Sequence, residues 1–391
     1  MTQRLEQKDA FVQSCRAEIV EVRNCGDRWA LVLNQSVFYP ESGGQLGDRG
    51  TLRVHEAELE VVDTQIDDGR VLHLVKDCTG VGAGDVCEAV IDWGFRRDQM
   101  SQHTGQHMLS ADVFSLFGAE TVSARLGSTA STIDLDCEPL EPNALQDLQA
   151  LVNEQVMNDK AVRAHYPDKA QLDQYGLRRS SKVDTNIRLI EIEGIDVTPC
   201  GGTHCAATGQ VGPVMIIANQ RYKGGSRITF LAGRRALDRY ETRDSQIHAA
   251  ADLFKCAPDE LHEAILRQQA ELRKVQERVG AYRAKLLDVE VAEELSRVQG
   301  TSHVLIRPEF EPEEARRFSR QLQEQSGASV LVAYGQDRFI ADSASVDLAR
   351  WLKQRGGMFG LRGGGRGSHV EGMISEPITP EWLKNLADAL L

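Results

Sequence analysis

Residues 96–118 read RRDQMSQHTGQHMLSADVFSLFG, and this is where the periodicity of the chain changes. Met100, His103, His107, Ala111 and Phe114 recur at steps of three and four, which places them on one helical face, and Gly118 supplies a stop. The spacing predicts a helix from about Arg96 to Phe117. Everything before it, from Ala17 to Ile91, alternates short apolar runs such as AEIVEV, WALVLN, TLRVH and CEAVID with glycine-rich turns, the pattern of a compact all-β, barrel-like unit. Two of the histidines on the predicted helix are four residues apart, so both imidazoles can reach one ion.

Beyond the helix, strand-like stretches at 121–126 and 130–136 precede helices at 143–158 and 168–175, and then the short runs IRLIEIEGIDV, PVMIIANQRY and RITFLAG. A sheet mixed with two longer helices is an α+β layer. After Gly233, Leu261, Ile265, Gln268, Leu272, Val275, Val279, Tyr282, Leu286 and Val289 keep a heptad spacing, interrupted in propensity only by Gly280. A long helix, a helical hairpin or a dimerising coiled coil all satisfy that stripe. Residues 301–391 return to strand and helix alternation, with helices expected at 312–326, 345–355 and 380–390. The fold class is therefore α+β, in four parts: a β-barrel-like domain over 1–95, a metal-binding α+β domain over 96–240, a long helical segment over 241–300, and a small α/β domain over 301–391.

Composition limits the function classes. The chain has 391 residues, 41% hydrophobic and 26% charged, an ordinary globular mix with no apolar run long enough to span a membrane. The start, MTQRLEQKDAFVQSC, has neither a secretory nor an organellar pattern, so a cytoplasmic protein is expected. A net charge of −13 argues against sequence-blind nucleic-acid binding over the whole surface. Eight cysteines at scattered spacings, none in a CxxC pair, fit reduced thiols, of which one or two are free to ligate metal. No GxxxxGK[ST] loop occurs, so no ATP requirement is expected.

The second half of the metal set follows about a hundred residues later, in TPCGGTHC over 198–205. His103, His107, Cys200 and His204 together suit one Zn²⁺ per chain, since imidazole and thiolate are its preferred ligands. Cys205 competes with Cys200 for the thiolate position, although a side chain directly after His204 points away. The residues between the two helical histidines are Thr104, Gly105 and Gln106, so the glutamate of an HExxH peptidase is missing. A site without a carboxylate base is better matched to an ester than to a peptide bond.

HTGQH and CGGTHC, preceded by VFYPESGGQLGD over 37–48, closely resemble the editing domain of alanyl-tRNA synthetases and its free-standing relatives, the AlaX proteins. The resemblance covers roughly residues 15–235. The long helix and the C-terminal part, with GLRGGGRG over 360–367, resemble the C-terminal region of the same synthetases, and a long-form AlaX protein is the combination implied. An aminoacylation domain is not expected within these 391 residues. The resemblance implies trans editing: hydrolysis of the ester of Ser-tRNA(Ala), with Gly-tRNA(Ala) as a second candidate substrate, because a pocket sized for alanine cannot exclude glycine and penalises an added hydroxyl only modestly. It implies catalytic roles for Gln45, Cys200 and His103, and substrate contacts at Gly43, Gly44, Gln45, Thr104, Gly202 and Thr203. Gln45 would order the attacking water or meet the serine hydroxyl.

For tRNA, two basic stretches beside glycine loops stand out. One runs over 216–240 and contains Arg221, Lys223, Arg227, Arg234, Arg235 and Arg239. The other runs over 350–370 and contains Arg350, Lys353, Arg355, Arg362 and Arg366. The named contacts are Arg221, Lys223, Arg227, Arg362 and Arg366, and a homodimer through the helical segment and C-terminal domain is a further expectation. The glycine-rich stretch is also similar to that of DHH phosphodiesterases, but no Asp-His-His run occurs, so that activity is not implied. Two other readings compete: editing of Ser-tRNA(Thr), since threonyl-tRNA synthetases share HxxxH and CxxxH, and a non-catalytic, zinc-stabilised RNA-binding protein. A metal-dependent hydrolase of small esters is a third.

Overall fold

The computed structural model describes residues 1–179 and 187–390 and divides them into two compact units, Met1–Ala249 and Ala250–Leu391. The first unit opens with β1 (Gln3–Arg4), β2 (Ser14–Asn24), β3 (Trp29–Leu33) and β4 (Gln35–Ser36), and β4 pairs parallel with β1. Strands β5 (Gly50–Val54), β6 (Ala57–Asp67), β7 (Arg70–Val75) and β8 (Val86–Ile91) follow. β2-β3-β7-β6-β5-β8 closes into a six-stranded barrel, as the alternating sequence leads one to expect. The alternation in VCEAVI turns Cys87, Ala89 and Ile91 inward, where they meet Ile19, Leu33, Leu52 and Val75. Burying each large aliphatic side chain contributes roughly 1.5–3 kcal/mol, and closure leaves no exposed strand edge.

Helix α1 (Trp93–Phe117) begins three residues before the apolar period requires, because the Asp92 side chain caps it by accepting from the Phe95 amide at 3.0 Å. Gly118 ends it at φ 67°, donating to the Phe114 carbonyl at 2.9 Å. The sequence predicts one buried face, whereas Gln99–Val113 is buried on every side. The polar residues that the period assigns to solvent are used internally: Gln102 donates to the Ala232 carbonyl at 2.8 Å and accepts from the Ala232 amide at 3.0 Å. Phe114, assigned to the buried face, is 43% exposed instead.

The rest of the first unit comprises β9 (Thr121–Leu126), β10 (Ser131–Leu135), α2 (Pro142–Met157), β11 (Val162–His165), β12 (Leu189–Ile192), β13 (Asp196–Pro199), β14 (Val214–Tyr222), β15 (Gly225–Ala232) and α3 (Arg234–Phe254), which extends to the second unit. A four-stranded antiparallel sheet in the order β14-β15-β10-β9 packs with α1 and α2 around Met108, Leu109, Ile133, Val152 and Phe230. A smaller sheet, β11-β12-β13, carries the chain toward Cys200. Arg96 in the first turn of α1 is fully buried. It pairs with the buried Asp48 and donates to the carbonyls of Ala10 and Val37, both at 2.7 Å, while Asp48 accepts from the Tyr39 amide at 2.6 Å. That network ties the segment 37–48 to the start of α1.

In the second unit, α4 (Leu261–Leu295) is one continuous helix through Gly280. Its last turns bury Leu287 and Val291 against Phe318 and Leu322 of α5 (Pro312–Ser326). Leu272, Val275, Val279, Tyr282, Leu286 and Val289 of the heptad stripe remain 45–61% exposed. The five-stranded sheet runs β16-β17-β18-β20-β19, from β16 (Ser302–Arg307), β17 (Ser329–Tyr334), β18 (Arg338–Asp342), β19 (Leu361–Arg366) and β20 (His369–Ile374). Helices α6 (Leu348–Arg355) and α7 (Pro380–Ala389) pack their Trp351, Leu352, Trp382 and Leu386 against Phe339, Leu361 and Val370 of this sheet. Among the described residues, no helix is long and apolar enough to cross a membrane.

Candidate metal centre

Helix α1 presents His103 and His107 one turn apart, and the loop leaving β13 presents Cys200 and His204. One ligand atom from each of these four residues lies within 4.8 Å of the other three. The Cys200 Sγ is 3.3 Å from His103 Nε2 and 3.3 Å from His204 Nε2. Cys205 is not in this group. It is buried, accepts no role at the centre, and burial pushes its thiol up to about 11.

The outward nitrogens explain why the inward ones converge. Gln45 Oε1 accepts from the Thr203 amide at 3.0 Å, which fixes that atom as an acceptor, so His103 Nδ1, 2.8 Å from it, must be the donor. His103 Nε2 then carries its lone pair toward Cys200. His107 Nδ1 faces the carboxylate of Asp196 at 3.5 Å. His204 Nδ1 lies 3.3 Å from the Thr104 hydroxyl, which also accepts from the Cys205 amide at 3.1 Å. Three imidazoles with an outer polar partner on Nδ1 and an inner Nε2 are the usual arrangement around a bound zinc. The donor set fits that ion.

The electrostatics agree with a thiolate ligand. Burial pushes the Cys200 thiol up, but the charges of His103, His204 and His107 outweigh it and hold the thiol well below its usual value. Burial pulls His107 down, and the Cys200 thiolate and Asp196 reverse this and raise it to about 9. His204 moves the other way, to about 3, through burial and then the neighbouring His103. One imidazole held on a carboxylate beside one that resists protonation is what a buried cluster sharing a single negative sulfur produces.

The glycine loop completes the wall. Gly44, at φ 87°, brings its backbone so close to β9 that a Cβ would lie 2.4 Å from the Ala124 carbonyl oxygen, and its own carbonyl accepts from the Leu126 amide at 2.7 Å. Gln45 is thereby turned inward. Its Nε2 donates to Thr203 Oγ1 at 2.8 Å, so of the expected substrate contacts, Gln45 and Thr203 hold each other. Gly202 is buried against His103, and its carbonyl accepts from Arg188 at 2.8 Å. Gly43 and Gly201 are exposed, and Cys200 is the one ligand with partial exposure.

Two site residues escape sequence reasoning. Arg188 donates from one nitrogen to the carbonyls of Cys200 at 2.9 Å and Gly202 at 2.8 Å, pinning the loop. Asp196 faces His107. Neither lies in a recognisable motif, and the only hint is that Asp196, Thr198 and Cys200 alternate along one strand and so share a face.

The five named tRNA contacts are split between the units. In the first, Arg221 pairs with Glu138 at 2.5 Å, and Arg227 grips Asp134 with two bonds of 2.6 and 2.9 Å while lying 3.6 Å over the Tyr222 ring. Arg234 and Arg235 are likewise paired, with Asp238 and Asp98. Lys223 sits at the turn between β14 and β15. In the second unit, Arg362 and Arg366 are exposed on the edge strand β19, beside α6 with its exposed Arg350, Lys353 and Arg355.

Comparison with known proteins shows what the chain is similar to. Residues 5–95 match the family model of class II (A) tRNA synthetases, and residues 187–229, which contain Cys200 and His204, match the second additional domain of threonyl and alanyl tRNA synthetases. The alanyl-tRNA editing protein AlaX-L of Pyrococcus horikoshii is 33% identical over 243 residues, covering 61% of this chain and 60% of that protein. The chain is thus similar to an alanyl-tRNA editing protein. Its likeness extends to the alanine–tRNA ligases of Caldivirga maquilingensis, 28% identical over 91% of this chain and 41% of the ligase, and of Pyrococcus abyssi, 28% identical over 96% and 42%. The chain thus spans about three-fifths of the editing protein and two-fifths of the ligases. The C-Ala domain of the Aquifex aeolicus alanyl-tRNA synthetase aligns with 24% of this chain at 22% identity and a TM-score of 0.20, too slight a likeness to carry an argument.

Proposed function

We propose that this protein is a zinc-dependent trans-editing hydrolase that cleaves the ester of Ser-tRNA(Ala), and of Gly-tRNA(Ala), in the cytoplasm. The observation that carries the reading is the convergence of His103, His107, Cys200 and His204, with each imidazole backed on its Nδ1 side. Zinc bound there would act as a Lewis acid toward an oxygen or amine of the substrate's aminoacylated end. Around it, the chain's own residues orient and exclude. Gln45 and Thr203 hold His103 in one tautomer, and the second N–H of the Gln45 carboxamide remains to order a water or meet a serine hydroxyl. Gly43, Ser42 and Gly201 are the exposed positions at which the acceptor end would enter. None of the residues between the two histidines is a carboxylate, which favours an ester over an amide.

Binding of tRNA is assigned to the second unit first. Arg350, Lys353, Arg355, Arg362 and Arg366 face solvent without an acidic partner among the described residues. The exposed heptad stripe of α4 is the surface on which a second copy would pair.

The test is deacylation of Ser-, Gly- and Ala-tRNA(Ala), with Ser-tRNA(Thr) alongside. Serine and glycine should be released from tRNA(Ala) while Ala-tRNA(Ala) survives. Equal lifetimes of all four with and without the protein would sink the proposal, and release from tRNA(Thr) alone would move it to the threonine system. Cys200→Ala and His103→Ala should lower bound zinc and activity together.

A further inference from the structure

Outside the four ligands, one buried charge faces the centre. Asp196 opens β13, and because alternate residues of a strand share a face, it lies on the same side as Cys200. The strand and the residue that directly follows it therefore deliver a carboxylate and a ligand. The Asp196 carboxylate is 3.5 Å from His107 Nδ1, and that nitrogen is buried and makes no hydrogen bond, so Asp196 is the charged group standing behind an otherwise orphaned ring nitrogen. The carboxylate is itself clamped, with Arg178 Nε donating to Oδ1 at 2.8 Å and Arg178 Nη2 donating to Oδ2 at 3.0 Å. The Arg178 amide also donates to the Val197 carbonyl at 3.1 Å, so the arginine is held at backbone and side chain alike.

We propose that Asp196, aligned by Arg178, is the positioning residue that makes His107 a metal ligand by holding its proton on Nδ1 and its lone pair on Nε2. The proposal rests on the metal-centre reading above and adds a residue that touches neither substrate nor ion. Of the three outer partners, Gln45 and Thr104 are neutral, and only Asp196 carries a charge. A carboxylate behind an imidazole raises its basicity as a ligand as well as fixing its tautomer. Without Arg178 the carboxylate would be a buried anion stripped of the two bonds that fix its orientation, and His107 would lose the aligned charge behind it. A mere staple between Arg178 and the β12–β13 hairpin would need no imidazole at its open side.

Zinc affinity of the full-length protein, measured by competition with a chromophoric chelator, separates these readings. Asp196→Asn and Arg178→Gln should each weaken zinc binding by about 10- to 100-fold, and Arg178→Lys should restore part of the loss. Asp342→Asn, which alters a buried carboxylate of β18 in the second unit that pairs with His369, should leave the affinity unchanged. In the zinc-loaded wild type, the imidazole nitrogen spectrum should show His107 protonated on Nδ1. Wild-type zinc affinity in both Asp196→Asn and Arg178→Gln would overturn the proposal, as would a His107 with its proton on Nε2, a readout that stands even where a variant fails to fold. A wild-type protein that takes up no zinc would instead remove the metal-centre reading, and the proposal with it.

Discussion

Gly202 gives the sharpest test of how the centre is built. It is buried, and a Cβ placed on it would lie 2.1 Å from His103 Cε1, 2.4 Å from His103 Nδ1 and 2.9 Å from Gln45 Oε1. Carbon atoms in contact sit about 3.5–4.0 Å apart, so in Gly202→Ala the imidazole must retreat by roughly 1.5 Å. It has nowhere to go without loss, since Nδ1 is held by Gln45 at 2.8 Å and Nε2 faces Cys200 at 3.3 Å. Overpacking of this kind costs about 1–3 kcal/mol, and the broken Gln45–His103 bond adds about 1 kcal/mol. Because the displaced group is a ligand, zinc affinity should fall by at least about tenfold and editing with it. Gly201→Ala is the control for zinc affinity: nothing lies within 4 Å of its Cβ position and the residue is exposed. Chelator competition on both variants and deacylation of Ser-tRNA(Ala) by Gly202→Ala decide the matter. A Gly202→Ala protein that holds zinc and deacylates like the wild type would refute the placement of His103 against this loop.

Three further outcomes are expected. His73, fully buried in the barrel, has its pKa pulled down to about 4 by burial, only partly countered by the bond from its Nδ1 to the Leu31 carbonyl. The unfolded chain takes up a proton near pH 6.5 and the folded barrel does not, so this histidine's contribution is complete above about pH 6.5 and fades as the pH falls toward 4, by roughly 3 kcal/mol at most. Urea unfolding of wild type and His73→Gln at pH 7 and 4.5 checks it, because the stability advantage of the wild type must shrink on acidification. Arg362→Ala combined with Arg366→Ala should weaken tRNA binding similarly for all tRNA sequences and lower the slope of log affinity against log salt by about 1 to 2. An unchanged salt slope would remove β19 from the interface. Arg227→Ala, by contrast, should act on stability, since its guanidinium is occupied by Asp134 and Tyr222.

Much of the architecture was legible because it depends on local period. Alternation predicted the barrel strands, the three- and four-residue steps predicted α1 to within a turn, and the stretches at 121–126, 130–136 and 143–158 correspond to β9, β10 and α2. The polar residues of α1 defeated the same logic. Gln99, Gln102 and Ser110 lie off the predicted apolar face yet are buried, and Gln102 is satisfied by Ala232, 130 residues away. The basic stretch 216–240 shows the same limit. Asp238 is the one acid within it, while Glu138, Asp134 and Asp98 reach Arg221, Arg227 and Arg235 from other elements.

By itself the sequence determined which residues could bind a metal: an i, i+4 histidine pair and a cysteine four residues before a histidine carry the ligand chemistry in their spacing. Only the tertiary structure decided that the two pairs meet, that Cys200 rather than Cys205 faces them, and that Gln45, Thr104 and Asp196 stand behind the three imidazoles. The physical reason is range. Ligand spacing is set by the rise of a helix or a tight loop and is written locally, whereas the outer partners come from a loop, a helix and a hairpin that lie 58 to 100 residues from the histidines they back, and no local pattern records such a contact.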